Sequence, residues 1–105
     1  MSGRSFGIMG HGLSISVAAT GSSVGSTSLV MTGGNALHIA NTSATLYVSV
    51  RWGTSAQTAV LGTDLTIPPM GWVVVDAPGT TTGVAAIGSA AGPTVVVFTP
   101  VRQIA

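Results

Sequence analysis

A chain of 105 residues sits at the usual length of one domain, yet only 5% of it is charged, against roughly a quarter in an ordinary soluble domain. The charges are Arg4, Arg51, Arg102, Asp64 and Asp76, and the net charge of +1 lacks the clustered basic footprint that nucleic-acid binding needs. There is no cysteine, which excludes disulfides and thiolate metal sites, and no apolar run approaches the roughly 18 residues of a membrane-spanning helix. So weakly charged a surface favours association, so much of it is expected to lie against copies of the chain or a larger partner.

Taken in order, residues 1–12 form a glycine-rich arm, with Gly3, Gly7, Gly10 and Gly12 around Phe6, Ile8 and Met9. The arm has no continuous apolar block, so it does not read as a secretory signal. Either it is a disordered start, or the apolar trio lies across a neighbouring subunit. A β pattern then begins and is expected to continue as one domain over residues 13–105. Leu13, Ile15 and Val17 alternate with small residues up to a turn at Thr20-Gly21-Ser22-Ser23. Ser26 to Thr32, centred on Leu29-Val30-Met31, is the second expected strand. Ala36 to Ala40 is the third, with Leu37 and Ile39 on one face and His38 on the other.

Thr45 to Gly53 has the strongest alternation. Leu46, Val48, Val50 and Trp52 share one face of an extended chain, and Thr45, Tyr47, Ser49 and Arg51 share the other. Thr54 to Thr63 reads as a weak strand or a loop. Leu65-Thr66-Ile67 is stopped by Pro68-Pro69, and Met70-Gly71 completes the turn. Trp72 to Asp76, Val84 to Ile87 and Thr94 to Thr99 follow, and Pro100 is expected to break the last ladder. Val73-Val74-Val75 and Val95-Val96-Val97 lack alternation. Both faces of those strands are therefore expected to be covered, by a second sheet plus a neighbour or by a central position.

About eight short strands with frequent turn signals, and no helical periodicity, predict an all-β, single-domain antiparallel β-sandwich. Catalytic chemistry finds little support. Only His11 and His38 could serve as a base and only Asp64 and Asp76 as acids, in no spacing that resembles a nucleophilic triad, a zinc or calcium site, or a paired-carboxylate hydrolase. No enzyme, cofactor or metal is expected. Asn41-Thr42-Ser43 matches a glycosylation triplet but reads as a turn. Binding offers more: Tyr47 and Arg51, of residue types enriched at interfaces, lie opposite the core face, and Trp72 is a possible stacking surface for sugars. The candidate interface is thus Phe6, Ile8, Met9, Tyr47, Arg51 and Trp72.

Asn41 through Gly53, Ala56-Gln57-Thr58-Ala59, Asp64 through Gly71, Val84-Ala85-Ala86-Ile87-Gly88 and Thr94 through Pro100 form an ordered set of turns and strands. From about Leu37 to Pro100 this set resembles small all-β virion proteins of tailed bacteriophages, most of all head decoration or cement proteins. Pro68-Pro69 and the glycine-rich arm have no counterpart in it. The resemblance implies a jelly-roll-like sandwich on the capsid exterior, assembled in the host cytoplasm and bound across contacts of the major capsid protein. It also implies self-association, as a homodimer or a homotrimer, with the dimer favoured, and no nucleic-acid or membrane partner. Two other readings stand beside it: a carbohydrate-binding or host-recognition module, and a tail or head-completion protein.

Overall fold

The computed structural model of the protein describes residues 7–10, 13–91 and 93–104, with the backbone alone at 7–10 and 104. Nine strands occur among them: β1 (Gly7–Gly10), β2 (Ile15–Ala19), β3 (Val24–Ser26), β4 (Ala36–Asn41), β5 (Val48–Gly53), β6 (Leu65–Ile67), β7 (Trp72–Asp76), β8 (Gly83–Gly88) and β9 (Thr94–Ile104). There is no helix among the described residues. All pairings are antiparallel. One sheet runs β2-β9-β4-β7, with β1 continuing the β2 edge along the far end of β9, and the other runs β3-β8-β5-β6. From β2 onward the chain crosses between sheets at nearly every connection, which is the order of an eight-stranded jelly roll. The expected sandwich is therefore present, with β1 added and with β9 an eleven-residue strand rather than a short one.

The core lies between the sheets. Val17, Ala19, Leu37, Ile39, Val96 and Phe98 face Val48, Val50, Ile67, Val84 and Ala86, and Phe98 is the largest fully buried side chain. Each of these residues is separated from the next on its strand by an outward one, as a half-buried strand requires. The alternation read at Ala36 to Ala40 is correct: Leu37 and Ile39 are buried and His38 faces outward.

Four expectations need correction. The second strand is Val24–Ser26 rather than Ser26 to Thr32. Leu29 and Met31 are buried, but they reach the core from an irregular connection held by the Leu29 amide donating to Thr82 O at 3.2 Å. Hydrophobic alternation reports burial, and here burial comes without a ladder.

The second correction is at Pro100, which does not end β9. The carbonyls of Val95 and Val101 accept from Thr42 and Asn35 on the β4 side, so even-numbered residues of β9, Pro100 included, face the opposite edge. On that edge the register shifts by two residues between Ile15↔Phe98 and Gly10↔Val101, and none of the described residues pairs with Pro100 there. The missing N–H falls where the register changes, one of the few interior places a sheet tolerates proline.

The third concerns Thr45 to Gly53. The strand begins only at Val48, because Thr45 and Leu46 belong to a turn in which both amides donate to Ser43 Oγ, at 3.2 and 2.9 Å. Leu46 and Trp52 are half-buried rather than fully core. Lastly, the valine triplets do alternate. Val96 is buried between half-open Val95 and Val97, and β7 is an edge strand with Val73 and Val75 packed on the core and Val74 facing out. The second sheet covers one face of each.

Candidate interaction surface

The two outer faces of the sandwich differ. Over the β3-β8-β5-β6 sheet lies the chain's own segment 54–64. Its Ala59 amide donates to Ser23 Oγ at 2.9 Å and its Gly62 amide to Ser49 Oγ at 3.0 Å, while Thr82 Oγ1 donates to Thr54 O at 3.1 Å. Ser49 and Ala85, which point away from the core, are fully buried beneath it. The segment keeps its shape locally. Asp64 Oδ2 accepts from the Val60 amide at 2.7 Å, the Val60 carbonyl accepts from Thr63 and Asp64, and Gly62 supplies a left-handed residue at φ 78°. The weak pattern read over Thr54 to Thr63 is therefore a loop with a job, covering one sheet.

This changes the reading of Tyr47 and Arg51. Both are exposed, Tyr47 at 42%, but Ser49 between them is sealed under the segment and bonded to Thr66 Oγ1 at 3.0 Å. They are two separate exposed side chains rather than one continuous strand face. Phe6 lies outside the described residues. Ile8 and Met9 fall on β1, whose backbone pairs with Gln103 and Arg102 of the same chain. That part of the expected arm is built into the chain's own sheet.

Among the described residues, no such segment covers the centre of the outer face of the β2-β9-β4-β7 sheet. Register places Trp72, Ala40, Val97 and Ser16 in one row across the four strands, and Val74, His38 and Thr99 in the next, with Ser14 and Thr99 hydroxyls 2.7 Å apart. Val95 and Ala18 form a third. Trp72 is 64% exposed and Val95 41%. No Asp, Glu, Lys or Arg stands in these rows; Asp76 lies at one end of β7, and Arg102, whose Nη1 donates to Gly33 O, at the far end of β9. The indole of Trp72 stacks on the His38 ring, 5.1 Å between centroids and 21° between planes, which fixes its orientation. Of the residues picked out from sequence, Trp72 is the one this face displays, and His38, read only as a strand-face residue, is its support. Their adjacency follows from the pairing of Ala40 with Trp72, which no local pattern announces.

Trp72 is presented by the turn before it. Pro68 O accepts from Gly71 N at 2.9 Å and Met70 sits at φ 59°, a type II turn with methionine where glycine is usual. Met70 is 67% exposed. Asn41, 2% exposed, pins this turn: its Nδ2 donates to Leu46 O at 2.8 Å, Pro68 O at 3.1 Å and Ile67 O at 3.2 Å, and its Oδ1 accepts from Ser43 N at 3.0 Å. The same group that completes the glycosylation triplet is thus consumed as a turn clamp. The Met70 amide donating to Ser43 O at 2.8 Å and the Asn41 amide donating to Gly71 O at 2.9 Å finish the joint.

Elsewhere, a groove of about 620 Å³ is lined by Leu13, Ile15, Val30 and neighbouring hydroxyl residues, and no three His, Cys, Asp or Glu side chains gather among the described residues. His11 lies outside those residues. Compared with protein-family models, with curated proteins and with solved structures, the chain finds no match in any of the three.

Proposed function

We propose that this is a structural, non-enzymatic virion protein that decorates and cements a tailed-phage capsid, lying on its exterior across contacts of the major capsid protein. The observation that supports it is the outer face of the β2-β9-β4-β7 sheet, whose central rows carry no charge, in a chain with five charges whose other sheet is covered by its own segment 54–64. A cement protein gains strength from many copies, each adding modest buried area across a subunit boundary, and an apolar, uncharged, rigid surface suits that task. The resemblance over Leu37 to Pro100 points the same way. The test is sedimentation of the purified protein with phage heads assembled without it. Saturable binding, lost on Val97→Asp with the fold retained, is expected. No binding at micromolar protein would end this reading.

A carbohydrate-binding reading rests on one observation, the exposed Trp72 indole held in place by His38. It expects hits on a glycan array that vanish in Trp72→Ala. A tail or head-completion role would appear as density at the portal end of whole particles.

A further inference from the structure

The edge of β7 has an unfilled half. The Asn41 amide donating to Gly71 O and the Ala77 amide donating to Asn35 O frame the β4–β7 ladder. With register Ile39↔Val73 and Leu37↔Val75, the odd-numbered residues of β7 carry its bonds to β4, and Trp72, Val74 and Asp76 turn their N–H and C=O groups away. Only one of these outward groups is taken: Asp76 O accepts from Trp52 Nε1 at 3.1 Å. Those of Trp72 and Val74 meet no partner among the described residues. Sheet edges are usually blunted by lysine, proline, a bulge or a covering loop. This five-residue run, Trp-Val-Val-Val-Asp, has none of these within it and is rich in β-branched residues.

We infer that β7 pairs antiparallel with β7 of a second copy of this chain, about a two-fold axis at Val74. An antiparallel strand edge is self-complementary under a two-fold, as a symmetric dimer interface must be. With Val74 opposite its own copy, Trp72 falls opposite Asp76 of the second copy, and Asp76 opposite Trp72. All three side chains stand on the outer face, because Val73 and Val75 pack on the core. Each pairing therefore sets an indole N–H donor beside a carboxylate acceptor, twice per dimer, and the two Asp76 carboxylates are kept apart. The opposite edge of the same sheet, β2, also turns backbone groups outward, at Ser16 and Ala18, but with side chains too short to reach a partner. Pairing at β7 joins the two outer faces into one eight-stranded surface with a Trp72–His38 stack on each side of the seam.

A five-residue seam lies at the small end of specific interfaces, below about 1,200 Å² in total, so weak, concentration-dependent association is expected. This inference does not depend on the capsid reading, because it needs only the purified chain. In sedimentation equilibrium the full chain should approach twice its monomer mass as concentration rises, and Val74→Asp, which sets two carboxylates face to face on the axis, should return it to monomer with an unchanged melting temperature. A second measurement exploits the absence of native cysteine. A hydrogen-bonded antiparallel pair holds Cα atoms about 5.5 Å apart, within disulfide reach. Val74→Cys should therefore cross-link into a dimer under mild oxidation at least tenfold faster than Val60→Cys, which lies on the covering segment. A chain that stays monomeric at millimolar concentration, equal rates for the two variants, or faster cross-linking by Ala18→Cys would each overturn the β7 seam. Failure of capsid binding would leave it standing.

Discussion

Replacing Asn41 by alanine should be one of the most damaging single changes available in this protein. The Asn41 amide nitrogen reaches three carbonyls that belong to different parts of the chain: Leu46 ahead of β5, and Ile67 and Pro68 at the end of β6. Its own strand lies in the opposite sheet, so the side chain ties the two sheets together at one end. Alanine leaves Leu46 O without its donor in a half-buried turn, while Ile67 O and Pro68 O keep only their other partners, the Val48 amide of the β5–β6 ladder and the Gly71 amide. An unsatisfied buried group costs about 1–3 kcal/mol, and a lost bond that water can replace about 1 kcal/mol. The expected loss is about 2–4 kcal/mol, a large share of the roughly 5–15 kcal/mol that holds a domain of this size. Read as thermal unfolding, that is a fall in Tm of roughly 10–25 °C. Asn41→Asp separates hydrogen bonding from packing. Its shape is the same, but it sets a carboxylate oxygen where the amide donated, so it should lose at least as much as the alanine variant. Urea or thermal unfolding by circular dichroism reads both. A loss below about 1 kcal/mol for Asn41→Ala, or near-native stability for Asn41→Asp, would refute the clamp.

Met70→Gly should stabilise the fold by about 0.5–1 kcal/mol, since relief of a left-handed methionine outweighs the added entropy of glycine in the unfolded chain; a lower Tm would contradict this. Gly83→Ala should cost about 2–3 kcal/mol and raise amide exchange across residues 54–64, because a β-carbon at Gly83 collides with the Ser55 carbonyl; unchanged exchange would show that the segment does not depend on that contact. Pro100→Ala should change stability by less than about 0.5 kcal/mol, whereas Thr99→Pro, whose amide lies on the β4 side, should lose at least about 2 kcal/mol. Equal effects at the two positions would contradict the edge assignment of β9.

The strands with a period-two signal were legible because burial on one face is a local property. Leu37/Ile39 and Val48/Val50 show it directly. What the sequence concealed depends on which strands meet. Pro100 reads as a breaker unless β1 and β2 are known to shift register opposite it. Ser49 reads as an exposed strand residue unless segment 54–64 is known to fold back over it. The Trp72–His38 stack joins side chains 34 positions apart in sequence through β4–β7 pairing. Asn41 looked like a turn former and is one, but its reach across the sandwich to Ile67 is a tertiary fact. Composition gave the amount of charge on the surface but not its placement, because which side segment 54–64 covers is set by tertiary folding.

That scarcity does not mean that the core needs a partner to close. The accessible surface of 5,242 Å² is close to the roughly 5,300 Å² expected for a compact monomer of this mass. Missing charge is therefore a property of a finished surface, and it is distributed unevenly. Arg51 and Asp64 lie on the side dressed by segment 54–64, while the central rows of the open face carry no charge and Asp76 stands at its edge. A surface that meets a neighbour on a single side would keep polar covering where it faces water and leave the centre of the contact side flat and free of charge. Trp72, fixed by His38 and delivered by a turn that the buried Asn41 holds rigid, stands at the edge of that open face.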